Sequence, residues 1–187
     1  PRVRRQRQMC IRDRVILGRT AGEDKDNSAE EGSYLLAAAE RQVLEQVCKT
    51  FPRVAVVLNT NGLVDLSWVE PHPQVKALLF LGVPGDEGPA AMANLLTGKV
   101  NPCGKLTDTI SYRYEDHPSA SNFLGNDANV YAEDIYVGYR YFETFAQDKV
   151  QFPFGFGLSY TTFALENVQV KLCGDTVRVK ATVKNTG

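Results

Sequence analysis

Five carboxylates fall within one short stretch: Glu23, Asp24, Asp26, Glu30 and Glu31. A carboxyl group held in a closed, partly desolvated pocket can give and take protons as a general acid and base. Glu23 follows Gly22 just beyond the end of the apolar run Val15–Leu17, and open α/β sheets place functional loops beyond the carboxyl ends of their strands. Charge alone selects none of the five, since a solvated acidic loop has the same composition. Arg19, just upstream, is expected either to pair with a carboxylate of this loop and set its geometry, or to form a plain surface pair. A second loop, Gly85-Asp86-Glu87-Gly88, has the form of a tight turn and helix start. There Glu87 would favour the positive end of the helix dipole, so capping and packing is its main expected role and substrate contact the lesser one.

The remaining reactive side chains point to little. His72 and His117 each stand beside prolines, in no pattern that suggests a metal or a Ser–His–Asp arrangement. Cys10, Cys48, Cys103 and Cys173 are widely spaced and read as reduced thiols rather than as a zinc site or disulfide framework. No metal and no cofactor is expected. A phosphate-binding cofactor domain would need a glycine-rich loop after its first strand, whereas Gly18 and Gly22 are followed by acids that repel phosphate. The net charge of −1 over 187 residues gives no reason to expect nucleic acid, and no apolar run is long enough for a membrane span. Six of the first 14 residues are arginine, unlike anything that follows; residues 1–14 are set apart as a ragged or artefactual start rather than a basic nucleic-acid arm.

The elements that must position these groups follow from periodicity. Val15–Leu17 reads as a buried strand and Gly22–Gly32 as a loop. Tyr34–Lys49 has helical spacing, with Leu35, Leu36, Ala39, Val43, Leu44 and Val47 on one stripe and the glutamates and Arg41 outside; Phe51-Pro52 ends it. Val54–Leu58 is a β-branched run covered on both faces. Val64–Val69 is a short segment packed by Trp68, Val75–Leu81 the next buried strand, and Pro89–Leu96 a helix closed by Gly98. This is the βα pattern of a mostly parallel sheet with flanking helices. Ser111–Asn129 is irregular. Phe163–Lys171 and Thr176–Lys184 alternate in period two and form a hairpin with one dry face, the opening strands of a sandwich that two strands cannot complete. The division expected is a partial α/β sandwich domain over 15–129, an aromatic and glycine-rich connector over 130–163, and the first strands of a second domain over 164–187.

Several stretches resemble the non-barrel part of glycoside hydrolase family 3, and most of all its bacterial β-glucosidases. They are GRTAGED at Gly18–Asp24, GSYLL at Gly32–Leu36, VVLN at Val56–Asn59, the run Pro84–Thr109, YAEDIYVGYRYFETF at Tyr131–Phe145 and FPFGFGLSYTTF at Phe152–Phe163. The resemblance spans about Val15 to Gly187. One departure is Asp86, where family members commonly carry Gln.

The resemblance implies an α/β sandwich followed by an incomplete fibronectin-III-like sandwich. It also implies a retaining β-glycosidase, and specifically a β-glucosidase that hydrolyses terminal non-reducing β-D-glucosyl residues of a β-glucoside or short oligosaccharide. β-Xylosidase or N-acetylglucosaminidase specificity, or a non-catalytic carbohydrate-binding or structural module, are the alternatives. A retaining glycosidase needs two carboxyls about 5 Å apart. The implied general acid/base is Glu23, with Asp24, Glu30 and Glu31 as fallbacks and Arg19, Asp24 and Glu87 as loop support. The nucleophilic aspartate belongs to a (β/α)8 barrel missing from this chain, so the fragment alone is expected to be inactive. Tyr136, Tyr139, Arg140, Tyr141, Phe154 and Phe156 are expected at the interface with the barrel and the fibronectin-like domain, with sugar stacking as the lesser role. A homo-oligomer is left open, and the expected location is the bacterial cytoplasm.

Overall fold

A computed structural model describes residues 13–19, 26–123, 127–128 and 130–187. Three parallel strands form the central sheet: β1 (Asp13–Gly18), β2 (Val54–Asn59) and β3 (Val75–Phe80), in the order β1-β2-β3. The register places Val15 beside Val56 beside Leu78, and Leu17 beside Leu58 beside Phe80. These side chains share one face because successive residues of a strand point to opposite sides. β2 lies in the middle, and Val54, Val56, Val57 and Leu58 are each no more than 1% exposed, as its unbroken β-branched run requires. The edge strands are less covered: β3 is only half-buried, not the fully buried strand its composition suggests, and Ile16 on β1 is 60% exposed.

Helix α1 (Ala38–Thr50) packs Leu44 and Cys48 into the core on the Val15/Leu17 face. It begins four residues later than its periodicity suggests. Residues 33–37 instead form an ordered, non-helical approach in which Leu36 and Tyr34 are buried. Phe51 ends the helix in extended conformation, its N–H still bonded to the Val47 carbonyl at 2.8 Å, and Pro52 follows. Trp68 sits in a short 3-10 turn (Ser67–Val69) and closes the core from the side, its indole N–H donating to the Asp65 carbonyl at 2.7 Å. Helix α2 (Gly88–Leu96) follows β3 and ends as Gly98 enters the left-handed region at φ +74°.

Among the described residues Ser111–Asn129 holds only the end of a two-residue strand and one 3-10 turn (Tyr114–Asp116), whereas the connector that follows carries regular elements. β4 (Ile110–Ser111) pairs antiparallel with β5 (Val150–Phe152), and between them lies helix α3 (Tyr139–Phe145). Ile110 and Phe152 join the main core, and Phe142 of α3 is fully buried. Strands this short leave almost no periodic signal; they form because the residues between them fold back.

β6 (Phe163–Cys173) and β7 (Thr176–Asn185) make the expected hairpin, turning at Gly174 with φ +60°. Its apolar face is real, since Leu165 pairs with Val183, Val170 with Val179 and Leu172 with Val177. That face is not dry: Leu165 is 70% exposed and Val179 62%, because nothing among the described residues lies over it. The whole is an α/β layer with a parallel sheet and flanking helices, followed by an antiparallel hairpin of the kind that opens a fibronectin-III-like region.

Candidate functional site

Parallel strands bring their carboxyl ends to one edge of the sheet. β1 ends at Gly18, β2 at Asn59 and β3 at Phe80. The first bonds of the loops there run across to β2: Arg19 N–H donates to the Asn59 carbonyl at 3.1 Å, and Leu81 N–H to the Leu58 carbonyl at 2.8 Å. The acidic stretch and the Gly82–Gly88 loop therefore leave the sheet at the same edge, where such folds place ligands. Glu23 and Asp24 themselves lie outside the described residues.

Arg19 stands at the start of the acidic stretch and is well defined. Its Nε donates to the Ser33 carbonyl at 3.0 Å and one Nη to the Gly18 carbonyl at 3.0 Å. Its other Nη reaches the Leu35 carbonyl at 3.3 Å, and the fork closes on both carboxylate oxygens of Glu40. Among the described residues its ion-pair partner is thus Glu40 in the first turn of α1. It is neither a carboxylate of the acidic loop nor a surface group, for the side chains of Arg19 and Glu40 are only 11% and 23% exposed. Glu40 also accepts the Ala37 N–H at 2.9 Å, which supplies the glutamate half of a capping box to a helix whose N-cap has no polar side chain. Burial alone would raise the Glu40 pKa, but the Arg19 and Ala37 bonds outweigh it and hold the carboxyl below its ordinary value. A helix begun at Tyr34 would put Glu40 on the outer face. A start at Ala38 makes Glu40 the third helical residue, where a capping glutamate belongs.

Of the fallback carboxylates, Glu30 and Glu31 are among the described residues. Glu31 is bound by Arg41, and that bond lowers its pKa against the opposing effect of desolvation. An acid catalyst needs the opposite shift. Glu30 is exposed, and among the described residues its carboxylate accepts only a long bond, 3.4 Å, from the Ser28 hydroxyl. On either side of it the chain is held: Asn27 Nδ2 donates to the Leu63 carbonyl at 2.7 Å, and Tyr34 N–H to the Ser28 carbonyl at 3.2 Å. The Tyr34 ring is buried edge-on against Tyr114, and burial, with Asp65 adding to it, pushes its phenol up to about 12.

Glu87 occupies the N-cap position of α2 but its side chain makes no capping bond and is exposed. What shapes this loop is Gly88, where a Cβ would overlap the Pro84 ring. The aromatic run forms a half-exposed cluster. Tyr139 stacks on Phe154 with centroids 4.5 Å apart, Tyr136 meets Phe145 edge-on at 4.8 Å, and Tyr141 touches both Phe142 and Phe145. Phe156 lies against Phe152. Arg140 covers the Tyr139 ring at 5.7 Å and donates to the Ile135 carbonyl at 3.3 Å; among the described residues it holds no carboxylate.

A concavity of about 440 Å³, lined by Cys48, Phe51, Pro52, Pro73 and Gln74, precedes β2 and β3 and so lies at the opposite end of the sheet from the candidate loops. No group of side chains among the described residues is arranged to hold a metal ion, and no helix there is long and apolar enough to cross a membrane.

The described residues thus form an α/β domain whose parallel strands end at one edge of the sheet, with Arg19 anchored there. Residues 6–160 match the glycosyl hydrolase family 3 C-terminal domain, and the chain belongs to that family. It is 45% identical over 172 residues to a β-glucosidase of Ruminococcus albus, an alignment covering 92% of this chain and 18% of that protein. The crystal structure of a β-glucosidase from Paenibacillus barengoltzii superposes with a TM-score of 0.90 at 50% identity, over 98% of this chain and 20% of that one. β-Glucosidase 3B of Thermotoga neapolitana in complex with glucose gives 0.86 at 34% identity, over 99% and 27%. The chain thus spans about a fifth of the length of the first two relatives.

Proposed function

We propose that this chain is the acid/base-bearing segment of a retaining β-glycosidase that removes terminal β-glucosyl residues. The observation that carries the reading is the anchored exit of β1: the Gly18–Asp24 motif leaves the carboxyl edge of the sheet from a residue, Arg19, fixed by five side-chain hydrogen bonds. Close similarity to β-glucosidases supports the substrate class. In this reading Glu23 protonates the glycosidic oxygen while an aspartate of a barrel elsewhere in the polypeptide attacks the anomeric carbon. The glycosyl–oxygen bond breaks, and the Glu23 carboxylate then takes a proton from the water that releases the sugar. Residues 15–129 form the α/β part, 130–163 the connector whose half-exposed rings face the barrel, and 164–187 the start of the fibronectin-like part.

The test is Glu23→Ala in the full-length polypeptide. Turnover of substrates with poor leaving groups should fall by about 10²–10⁴-fold, activated aryl glucosides should suffer less, and azide should restore rate by forming a glucosyl azide. Unchanged turnover of poor leaving groups overturns the assignment.

A further inference from the structure

We propose that Asn101 is the latch of a rigid joint: its carboxamide locks the last part of the connector beside the end of α2 and so fixes how the β6–β7 hairpin is carried on the α/β layer. The inference is independent of the assignment of Glu23. The hairpin does not fix its own position by packing. β6 and β7 pack on one another, and nearly every residue of both is exposed. Their orientation is therefore set through residues 153–162, which belong to no helix or strand.

A stretch of this kind, with Gly155 and Gly157 in it, would be pliable if left alone. Instead it is tied along its length to residues more than 45 positions earlier. Gly155 N–H donates to the Leu106 carbonyl, and Leu106 N–H to the Phe156 carbonyl, both at 2.8 Å. The Lys105 ammonium bonds the Gly157 carbonyl. Asn101 holds the next two residues. Its Nδ2 lies 2.8 Å and its Oδ1 3.1 Å from the Ser159 hydroxyl, and Oδ1 accepts the Tyr160 N–H at 3.0 Å. The Tyr160 phenol donates to the Leu95 carbonyl, in the last turn of α2, at 2.9 Å. Immediately beyond, both ends of the hairpin gather on the same stretch: the Thr161 hydroxyl donates to Asn185 Oδ1 at 2.6 Å, and Thr186 N–H to the Thr162 carbonyl at 2.8 Å.

Of these ties, the Asn101 carboxamide is the one that bonds the connector through both a nitrogen and an oxygen, on one planar group. Its backbone is restrained as well, because Pro102 follows and disfavours the helical region for residue 101. Each bond here is exposed and modest by itself, so the joint holds by the sum. Removing its two-sided member releases the segment that carries the hairpin.

The experiment follows amide hydrogen exchange and chymotrypsin cleavage after Leu158 and Tyr160 in the full-length polypeptide. Asn101→Leu keeps the side chain's shape and loses its bonds. Exchange at residues 155–162 should quicken about 10-fold or more and cleavage should follow, while α1 and β2 stay as protected as before. Asn101→Asp still offers acceptors to the Tyr160 N–H and the Ser159 hydroxyl, so both readouts should stay near those of the parent protein. Ser159→Ala, which spares the Tyr160 bond, should fall between. Unchanged exchange and cleavage in Asn101→Leu overturn the inference. So does an Asn101→Asp variant as labile as Asn101→Leu, since the bonds would then not be what holds the segment. Faster exchange spread evenly over α1 and β2 would mark loss of the fold, not release of a joint, and counts equally against it. Should Asn101→Leu not fold, Ser159→Ala and Tyr160→Phe decide: connector amides as slow as the parent's in both overturn the latch.

Discussion

Arg19 and Glu40, 21 residues apart in the chain, close a two-pronged ion pair that ties the end of the first strand to the first turn of the first helix. Because both side chains are mostly buried, 11% and 23% exposed, the pair is not the weak, solvent-screened kind found on surfaces. Arg19→Ala strands a half-buried carboxylate and three carbonyls, and should cost about 2–4 kcal/mol in denaturant unfolding. A double-mutant cycle with Glu40→Ala should return a coupling well above that of an exposed pair. The folded pKa of Glu40 lies below its ordinary 4.5. Its contribution is therefore complete above that value and is lost as pH falls through the folded value. Glu40→Gln should remove this slope from the acid limb of the stability curve.

His117 titrates in a different window. Burial lowers its pKa below the ordinary 6.5, with Asp116 and Asp108 opposing, and its ring lies edge-on against the fully buried Phe142 at 5.3 Å. The unfolded chain binds a proton more readily than the folded one. Stability from this site is present above about 6.5 and falls as pH drops from there through the folded value. His117→Gln should flatten the fall of the thermal midpoint as pH drops below about 6.5. An unchanged slope would place the titrating group elsewhere.

Gly157 marks a close approach of two backbone segments. A Cβ there would overlap the Gly104 carbonyl and crowd Lys105, whose ammonium bonds the Gly157 carbonyl. Since the obstacle is main chain, it cannot swing aside. Gly157→Ala should destabilise by about 1–3 kcal/mol, whereas Gly104→Ala, with open space around its Cβ, should cost much less. Thermal unfolding of the two variants separates these outcomes.

The uncovered face of the β6–β7 hairpin should govern how the isolated chain behaves in solution. Leu165, Val170, Leu172, Val177, Val179 and Val183 are each at least 60% exposed, a contiguous apolar surface of the kind that drives association. Replacing Val170 and Val179 by lysine should reduce light scattering at fixed concentration without lowering the thermal midpoint, because neither side chain is packed on anything described. A lowered midpoint would show that this face is already covered.

Much of the fold was legible from local pattern. The β-branched run Val54–Leu58 needs both faces covered, and its central place in the sheet follows from that. The break at Phe51-Pro52 and the turn at Gly174 follow from what those residues can adopt. The hairpin's alternation was readable at Val170 and Leu172 and at Val177, Val179 and Val183, but period two alone would set Leu165 on the other face; the irregularity between Glu166 and Gln169, with Asn167 at φ +54°, returns it to theirs. What pattern missed has a common cause. α1 begins at Ala38 rather than Tyr34 because Tyr34 is drawn into a buried contact with Tyr114, a residue 80 positions away. β4 and β5 are too short to show any period.

The chain by itself therefore determined its family, its parallel sheet and the edge from which the acidic segment departs, since these rest on local residue types and their order. Tertiary structure alone decided which carboxylate Arg19 binds. Charge has no memory of sequence distance, and the acidic residues nearest Arg19 in sequence compete on equal chemical terms with Glu40. Only the packing of α1 against β1 brings Glu40 within reach of the guanidinium, and only the buried setting makes that pairing stronger than a solvent-screened surface pair.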